Sequence, residues 1–501
     1  MFILSEIGHK LGRFSSFPAN MIDRAFLEEP KSNLGKFWQG LKVRLMYILL
    51  FVPMLAVDMA VSLAITLTYT LGILFRSDNI KEKYTKQQTK YSDLFSKSLL
   101  ALLASPWGFF EPEAVLFFVE TTPELAAGKY YRVKGVTVEQ PETVEALQAL
   151  LQAPRHEKKK ICVVGAGRSQ GKQFLPGDKS SALIIDMSKF NSIKVNPDTR
   201  IAQVGAGAIW RDVQRKANDQ ALALKVMQAS NIFSVGGSIG CNIHGWDYHT
   251  GTLSHALESI DVMLADGKLI QHVTPDSKLF KHIVGGFGMY GIVVGANLKL
   301  TANEHLKRTS VLKNPDAYVS YFNDELKNSD HTRLHLYRLN LDPKNLLKTG
   351  FTETYVVDET QPGAVETPNF HVERERGQRF ERFFVRLGKR YEAFRSWYWK
   401  RECNAFQEEE PVSTTNEIMQ APINGMFNNS VSETEWLQEY FMPEENLAKF
   451  LEQLGDLLMK NQVTLLNATV RYVKQHDDNP LSPTYSGARF AVVLCFNQSL
   501  Q

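Results

Sequence analysis

His244 lies in the stretch Ser230–Gly251, SNIFSVGGSIGCNIHGWDYHTG, where Gly236, Gly237, Gly240, Gly245 and Gly251 stand among small residues. Such spacing lets backbone press close to a flat or phosphorylated ligand where a β-carbon would clash. A neutral imidazole in that cradle can accept a proton or donate a hydrogen bond near neutral pH, and both suit the oxidation of an alcohol. Cys241, in the same stretch, is a small residue for a tight site or a thiol beside the ligand. His249 and His255 have no carboxylate cluster that would complete a metal site with His244, so no metal is expected. A second glycine turn, Gly165-Ala166-Gly167-Arg168-Ser169-Gln170-Gly171, lies upstream. Its successive N–H groups can point at an anion, and Ser169 can add a hydroxyl donor.

Positioning these groups requires strands that end in turns. Ile161–Val164 reads as a short buried strand running into the first glycine turn. The turn lacks the dinucleotide-binding spacing, because G-x-G-x-x-G needs glycine where Gln170 stands, and Lys172–Ser181 reads as loop. Strands are expected at Ala182–Asp186 and Ile201–Val204, with a turn at Asn196-Pro197-Asp198 and a helix Ile209–Asn218 opening after Gly205-Ala206-Gly207. After the histidine, Ser259–Leu264 has β-pattern and turns at Asp266-Gly267.

The order of these signals resembles the flavin domain of the vanillyl-alcohol oxidase / p-cresol methylhydroxylase (PCMH-type) family. The likeness is carried by GAGRSQG (165–171), LIIDMSKFNSIKVNPDTRIAQVGAGAIWRDV (183–213), SVGGSIGCNIHG (234–245), LESIDVMLADGKLI (257–270) and LFKHIVGGFGMYGIVVGANLKL (279–300). GGSIGCNIHG and ADGKLI are most similar to the branch of bacterial decaprenylphosphoryl-ribose oxidases, with aldonolactone oxidases more distant. The resemblance implies bound FAD. Its contacts would be Gly165, Ala166, Gly167, Arg168, Ser169, Gln170, Ser230, Phe233, Gly236, Gly237, Cys241, Ile243, Gly245 and Ile292, with His244 as the catalytic group. Many members carry, at the position of Arg168, a histidine bonded to the flavin ring. Arginine cannot form that bond, so a non-covalent cofactor is implied.

The chain has 501 residues, is 44% hydrophobic and carries a net charge of +3, which allows two or three compact domains and gives no sign of a nucleic-acid partner. Cys162, Cys241, Cys403 and Cys495 have no C-x-x-C spacing and read as reduced thiols. Leu45–Phe75 is almost continuously apolar, broken by Pro53 and Asp58. Since a span needs about 20 apolar residues, one tilted or kinked transmembrane helix or a re-entrant hairpin fits, and a buried helix is the alternative. Lysines and arginines flank it on both sides, so orientation is open. Residues 76–128 read as a connector, and Pro141–Glu145 as the start of a helix continuing through Leu147, Leu150 and Leu151.

Beyond Leu300 the pattern becomes antiparallel: Arg333–Leu339, Phe351–Val357, Leu437–Pro443, Leu465–Val473 and Phe490–Asn497 read as strands. Gln438, Tyr440, Arg471 and Tyr472 are candidates for inward polar groups, subject to register. Residues 373–401 interleave Arg379, Arg382, Arg386, Lys389, Arg390 and Arg395 with Phe380, Phe383, Phe384, Trp397 and Trp399, suiting either an interfacial or a solvated helix. The expected class is α+β. An N-terminal region 1–128 holds the apolar segment 45–75, a two-subdomain FAD-binding domain covers 129–305, and an antiparallel substrate domain covers 306–501. The resembled oxidases continue past this point and carry a catalytic lysine there, so the substrate domain is expected to be incomplete. The implied activity is oxidation of an alcohol carbon of a sugar or lipid-linked sugar at a membrane, with the electron acceptor open. The alternatives are an aldonolactone or sugar-alcohol oxidase, or an inactive flavin- or partner-binding protein.

Overall fold

The computed structural model describes residues 44–74, 137–153, 159–169, 182–368, 391–408, 412–420, 433–476 and 479–499, with isolated positions between 42 and 102 and at 370. Two compact units are distinguished, one built mainly from Met1–Lys129 and the other from Tyr130–Asn428 with Glu435–Gln498.

In the first unit a π-turn at Tyr47–Phe51 leads into helix α1 (Val52–Leu74). The distortion sits where Pro53 has no N–H to donate and its ring crowds the preceding turn. Tyr47, Phe51, Leu55, Asp58, Ser62 and Ile65 form a buried stripe, while Leu49, Leu63 and Leu67 are exposed. The Ser62 hydroxyl donates to the Asp58 carbonyl, and Thr66 and Thr70 donate one turn back at 2.7 and 2.8 Å, so these hydroxyls are satisfied within the helix. Among the described residues one helix, Arg44–Leu67, is long and apolar enough to cross a membrane.

The second unit begins with β1 (Thr137–Glu139), α2 (Val144–Gln152), β2 (Lys160–Val164) and β3 (Ala182–Asp186). The strands form a parallel sheet in the order β1-β3-β2, and β3 is buried along its whole length, as its unbroken apolar run requires. Thr143 caps α2 by accepting from the Ala146 N–H at 3.2 Å. Leu147 and Leu150 of α2 pack on Leu183, Ile185 and Met187. The loop expectation for 172–181 lies outside the described residues.

A second sheet is antiparallel, built from β4 (Ile193–Asn196), β5 (Ile201–Gly205), β6 (Leu222–Leu224), β7 (Leu257–Met263), β8 (Leu269–Val273) and β9 (Ile292–Ala302). Its order is β4-β5-β9-β7-β8, with β6 also on β9. Helix α3 (Trp210–Asn218) starts after β5 and α4 (Val235–Cys241) lies in the long connection from β6 to β7. Both cover the apolar face, where Val204, Ala296, Ile260, Trp210, Val213, Val235 and Ile239 share one core. The fully buried Trp210 donates its Nε1–H to Ser238 Oγ at 2.8 Å, fastening α3 to α4.

The third sheet follows: β10 (His305–Thr309), β11 (Leu312–Lys313), β12 (Thr332–Leu339), β13 (Gly350–Val357), β14 (Ser413–Thr414), β15 (Glu433–Met442), β16 (Leu465–Val473) and β17 (Arg489–Ser499). Its order is β14-β10-β13-β12-β16-β17-β15, with β11 on β13. Helices α5 (Pro315–Tyr321) and α7 (Leu447–Lys460) supply Tyr318, Leu447 and Leu451 to a core with Tyr337, Val470 and Phe490 on one face. Between them in the chain, α6 (Glu392–Gln407) lays Trp399 and Phe406 against Phe351 at ring separations of 5.3 and 4.8 Å. The aromatic, basic stretch read at 373–401 therefore divides. Within its described part Trp399 is a packing residue and Trp397 is exposed, while residues 373–390 lie outside the described residues.

Candidate active site

The two glycine turns of the sequence meet. A β-carbon on Gly165 would stand 2.1 Å from Ser234 Oγ, and one on Gly236 would stand 2.8 Å from the Ala206 Cβ, so both positions exclude any side chain. The Gly236 N–H donates to the Ala206 carbonyl at 2.7 Å and the Val235 N–H to Ala208 at 2.9 Å, drawing the start of α4 onto the end of β5. The Ala166 N–H approaches Ser234 Oγ at 3.4 Å. Together Gly165–Ser169 and Ser234–Gly237 line one shallow cradle, in which Gly237 and Ser169 are open to solvent. Arg168 and Arg211 are close enough to interact. Burial, and then the Arg211 charge, hold the Arg168 guanidinium below its ordinary value.

Asn242 ends α4 in the left-handed conformation, φ 46°, which asparagine tolerates better than most residues. The chain then runs extended through His244, which bridges Thr252 antiparallel, while Asp247 closes the turn by accepting from the N–H groups of His249 and Thr250 at 2.9 and 3.0 Å. The Leu253 N–H donates to Ile243 and the Ser254 N–H to Asn242 Oδ1. This small hairpin buries His244 to 5% exposure and aims its ring at the third sheet. There His244 Nε2 meets Glu439 Oε2 at 3.2 Å, with the Phe441 ring edge-on at 5.7 Å. Burial pushes the Glu439 carboxyl up, but His244 and Arg471 outweigh it and leave the group below the usual carboxylate range.

The candidate contacts fall into distinct surroundings. Ser230 and Gly245 are buried, Phe233, Gly236 and Ile243 are half-buried, and Cys241 is exposed at the end of α4 with its thiol raised by desolvation and by Glu439. Gly167 adopts φ 62° within its turn, and Gln170 lies outside the described residues. Ile292 packs in the core with Met187 and Met263. His249 meets the Ser329 carbonyl at 3.1 Å, and His255 packs tilted against the His476 ring at 4.1 Å.

On the third sheet the site uses Glu439 rather than its neighbours. Tyr440 packs on Phe450 on the helical face, Gln438 is exposed, and Tyr472 packs on Phe322, whereas Arg471 is buried beside Glu439. Alternation along a strand makes each such assignment a choice between two registers, and the expectation for β15 was off by one residue. A further row on the same sheet, Arg338 with Glu353 and Glu402, joins Arg471 electrostatically, and Tyr355, hydrogen-bonded to Glu353 at 3.4 Å, stacks on Trp246 at 6.2 Å.

The glycine-lined cradle, which leaves no space for β-carbons at Gly165 and Gly236, fits a cofactor's flat ring and phosphates, and several buried polar atoms beside it, Asn242 Nδ2, His244 Nδ1 and Trp246 Nε1, have no partner among the described residues. Comparisons with known proteins agree. The FAD binding domain family matches residues 137–272. The chain is 32% identical over 169 residues to decaprenylphosphoryl-beta-D-ribose oxidase of Mycolicibacterium smegmatis, covering 33% of this chain and 35% of that one. It is 26% identical to L-gulonolactone oxidase of Mus musculus over 198 residues, 39% and 44% of the two chains. The chain thus spans less than half the length of these relatives. Among solved structures, Phl p 4, a grass pollen allergen with glucose dehydrogenase activity, superposes with a TM-score of 0.51 over 74% of each chain at 13% identity. Residues 137–272 thus match an FAD binding domain, and the chain shares the fold of Phl p 4.

Proposed function

We propose that this protein is an FAD-dependent oxidoreductase that oxidises a carbinol carbon of a sugar or lipid-linked sugar. The observation that carries the reading is the His244–Glu439 pair, 3.2 Å apart, at the foot of the glycine cradle. Bound FAD supplies the hydride acceptor. With Nε2–H held by Glu439, His244 Nδ1, which has no partner among the described residues, is the nitrogen to hydrogen-bond the substrate hydroxyl and take its proton as the carbinol hydrogen leaves with its electron pair, and Glu439 orients the ring and stabilises the imidazolium that results. Gly165–Ser169 and Gly236–Gly237 hold the cofactor's phosphates through backbone, while Arg168, standing where relatives carry the tethering histidine, leaves the flavin non-covalent. In this reading residues 129–305 bind the cofactor, 306–501 bind the substrate, and helix α1 anchors the chain in a membrane through its exposed apolar face. The low charge and the continuous apolar run of α1 support that anchoring. Similarity to an oxidase of a lipid-linked sugar supports the substrate class.

The test is anaerobic addition of sugars, aldonolactones and lipid-linked sugars to the FAD-loaded protein. Loss of the oxidised flavin absorbance with a sugar alcohol is expected, and no bleaching by any of them sinks the enzymatic reading.

A further inference from the structure

We propose that Arg471 anchors an oxyanion, a phosphate or carboxylate, carried by the sugar substrate. This rests on the oxidase reading above and names the group by which that substrate is recognised.

Arg471 is 5% exposed, and its buried Nε–H has no hydrogen-bond partner among the described residues. Buried polar groups in folded proteins are satisfied almost without exception, and a charged one left unmatched is costly. The nearby carboxylates are engaged elsewhere. Glu353 and Glu402 pair with Arg338, Glu353 also accepts from Tyr355, and Glu439 Oε2 is taken by His244. Ala491, opposite Arg471 in register, presents only a methyl group beside it, and Thr469, two residues earlier on β16 and on the same face, stands opposite Arg338 in register.

The other unsatisfied atoms of the neighbourhood are mainly donors. Trp246 Nε1 and Asn242 Nδ2 flank His244 in the chain, and the hydroxyl Thr469 Oγ1 lies two residues before Arg471 on the same face of β16. Each hydroxyl of a neutral polyol brings a donor along with its acceptor lone pairs and no charge to match the guanidinium. Phosphate and carboxylate bring acceptors alone, and the planar guanidinium fork matches both. Glu439 lies near enough to sense Arg471, so an anion docked there places the attached sugar beside the His244–Glu439 pair.

The experiment uses the full chain loaded with FAD and follows the oxidised flavin spectrum during titration with glucose, glucose 1-phosphate, gluconate and inorganic phosphate. Glucose 1-phosphate or gluconate should bind about 10- to 100-fold more tightly than glucose, the range of one charge-assisted hydrogen-bonded contact. Which of the two binds tighter separates phosphate from carboxylate. Arg471→Met should abolish the preference and Arg471→Lys should restore part of it, with melting curves confirming that both variants fold. An unchanged preference in Arg471→Met overturns the proposal, as does an unchanged binding series accompanied by a shifted flavin potential, which would assign the guanidinium to the cofactor. A wild-type protein that binds the anionic sugars tightly without bleaching keeps the anchor and sinks the oxidase reading instead.

Discussion

Replacing Glu439 by glutamine tests the catalytic pair with the least disturbance, because the amide oxygen can still accept from His244 while the charge is gone. A hydrogen bond to a charged group contributes about 1.5–3 kcal/mol, and one tenfold rate step corresponds to about 1.4 kcal/mol. If the carboxylate serves chiefly to stabilise the imidazolium formed as the substrate loses its proton, Glu439→Gln should slow flavin reduction by about 10- to 150-fold. The assay is stopped-flow reduction at saturating sugar, normalised to bound flavin. A pH series adds an independent readout. His244 and Arg471 hold Glu439 below the usual carboxylate range, so its contribution is present at neutral pH and is lost as pH falls through that depressed value. The wild-type rate should therefore carry, below the usual carboxylate range, an acid limb from Glu439 protonation that the variant lacks. A variant reduced at the wild-type rate, with the same acid limb, would remove Glu439 from the reaction and refute the pairing.

Acid precipitation of the purified protein should leave the yellow colour in the supernatant, and colour in the pellet would show a covalent flavin and turn attention to Cys241. Carbonate-washed membranes should retain the full chain, and its recovery in the wash would reject insertion of α1. Gly236→Ala forces a methyl group to within 2.8 Å of the Ala206 Cβ, so it should cost about 1–3 kcal/mol of stability and lower FAD occupancy, whereas an unchanged melting curve would contradict the close approach. Burial lowers His255 to about 4 and His335 to about 3, so both must stay neutral in the fold. Stability should fall as pH drops from about 6.5 towards 4, where the unfolded chain binds more protons, and His335→Gln should flatten that fall.

Local signals made the cradle legible. Strand, glycine turn and helix start sit within a few residues of one another, and each of Ile161–Val164, Ala182–Asp186 and Ile201–Val204 lies where its apolar run and its bounding turns place it. The helix read from Ile209 begins one residue later because Ile209 itself takes the extended capping conformation. The antiparallel strands after Leu300 were equally visible from alternation. Glu439 was not, because it reaches His244 across 195 residues of chain, and nothing local distinguishes the carboxylate that turns inward from the glutamine beside it. The docking of α6 depends likewise on Phe351, an aromatic whose partners are fixed only once the sheet has formed.

The hairpin that carries His244 is finished from the far end of the chain. The His335 N–H donates to the Trp246 carbonyl at 2.9 Å, and Glu439 closes on the imidazole 195 residues after it in sequence. At a synthesis rate of about 5–20 residues per second, the nascent chain exposes His244 about 10–40 s before its carboxylate partner is made. The cradle residues Gly165–Ser169 and Ser234–Gly237 all precede His244 and are already made by then, while the proposed proton-handling pair is still incomplete. In the proposed reading, the residues that would cradle the cofactor are therefore present in a half-made chain that still lacks half of its proton-handling pair.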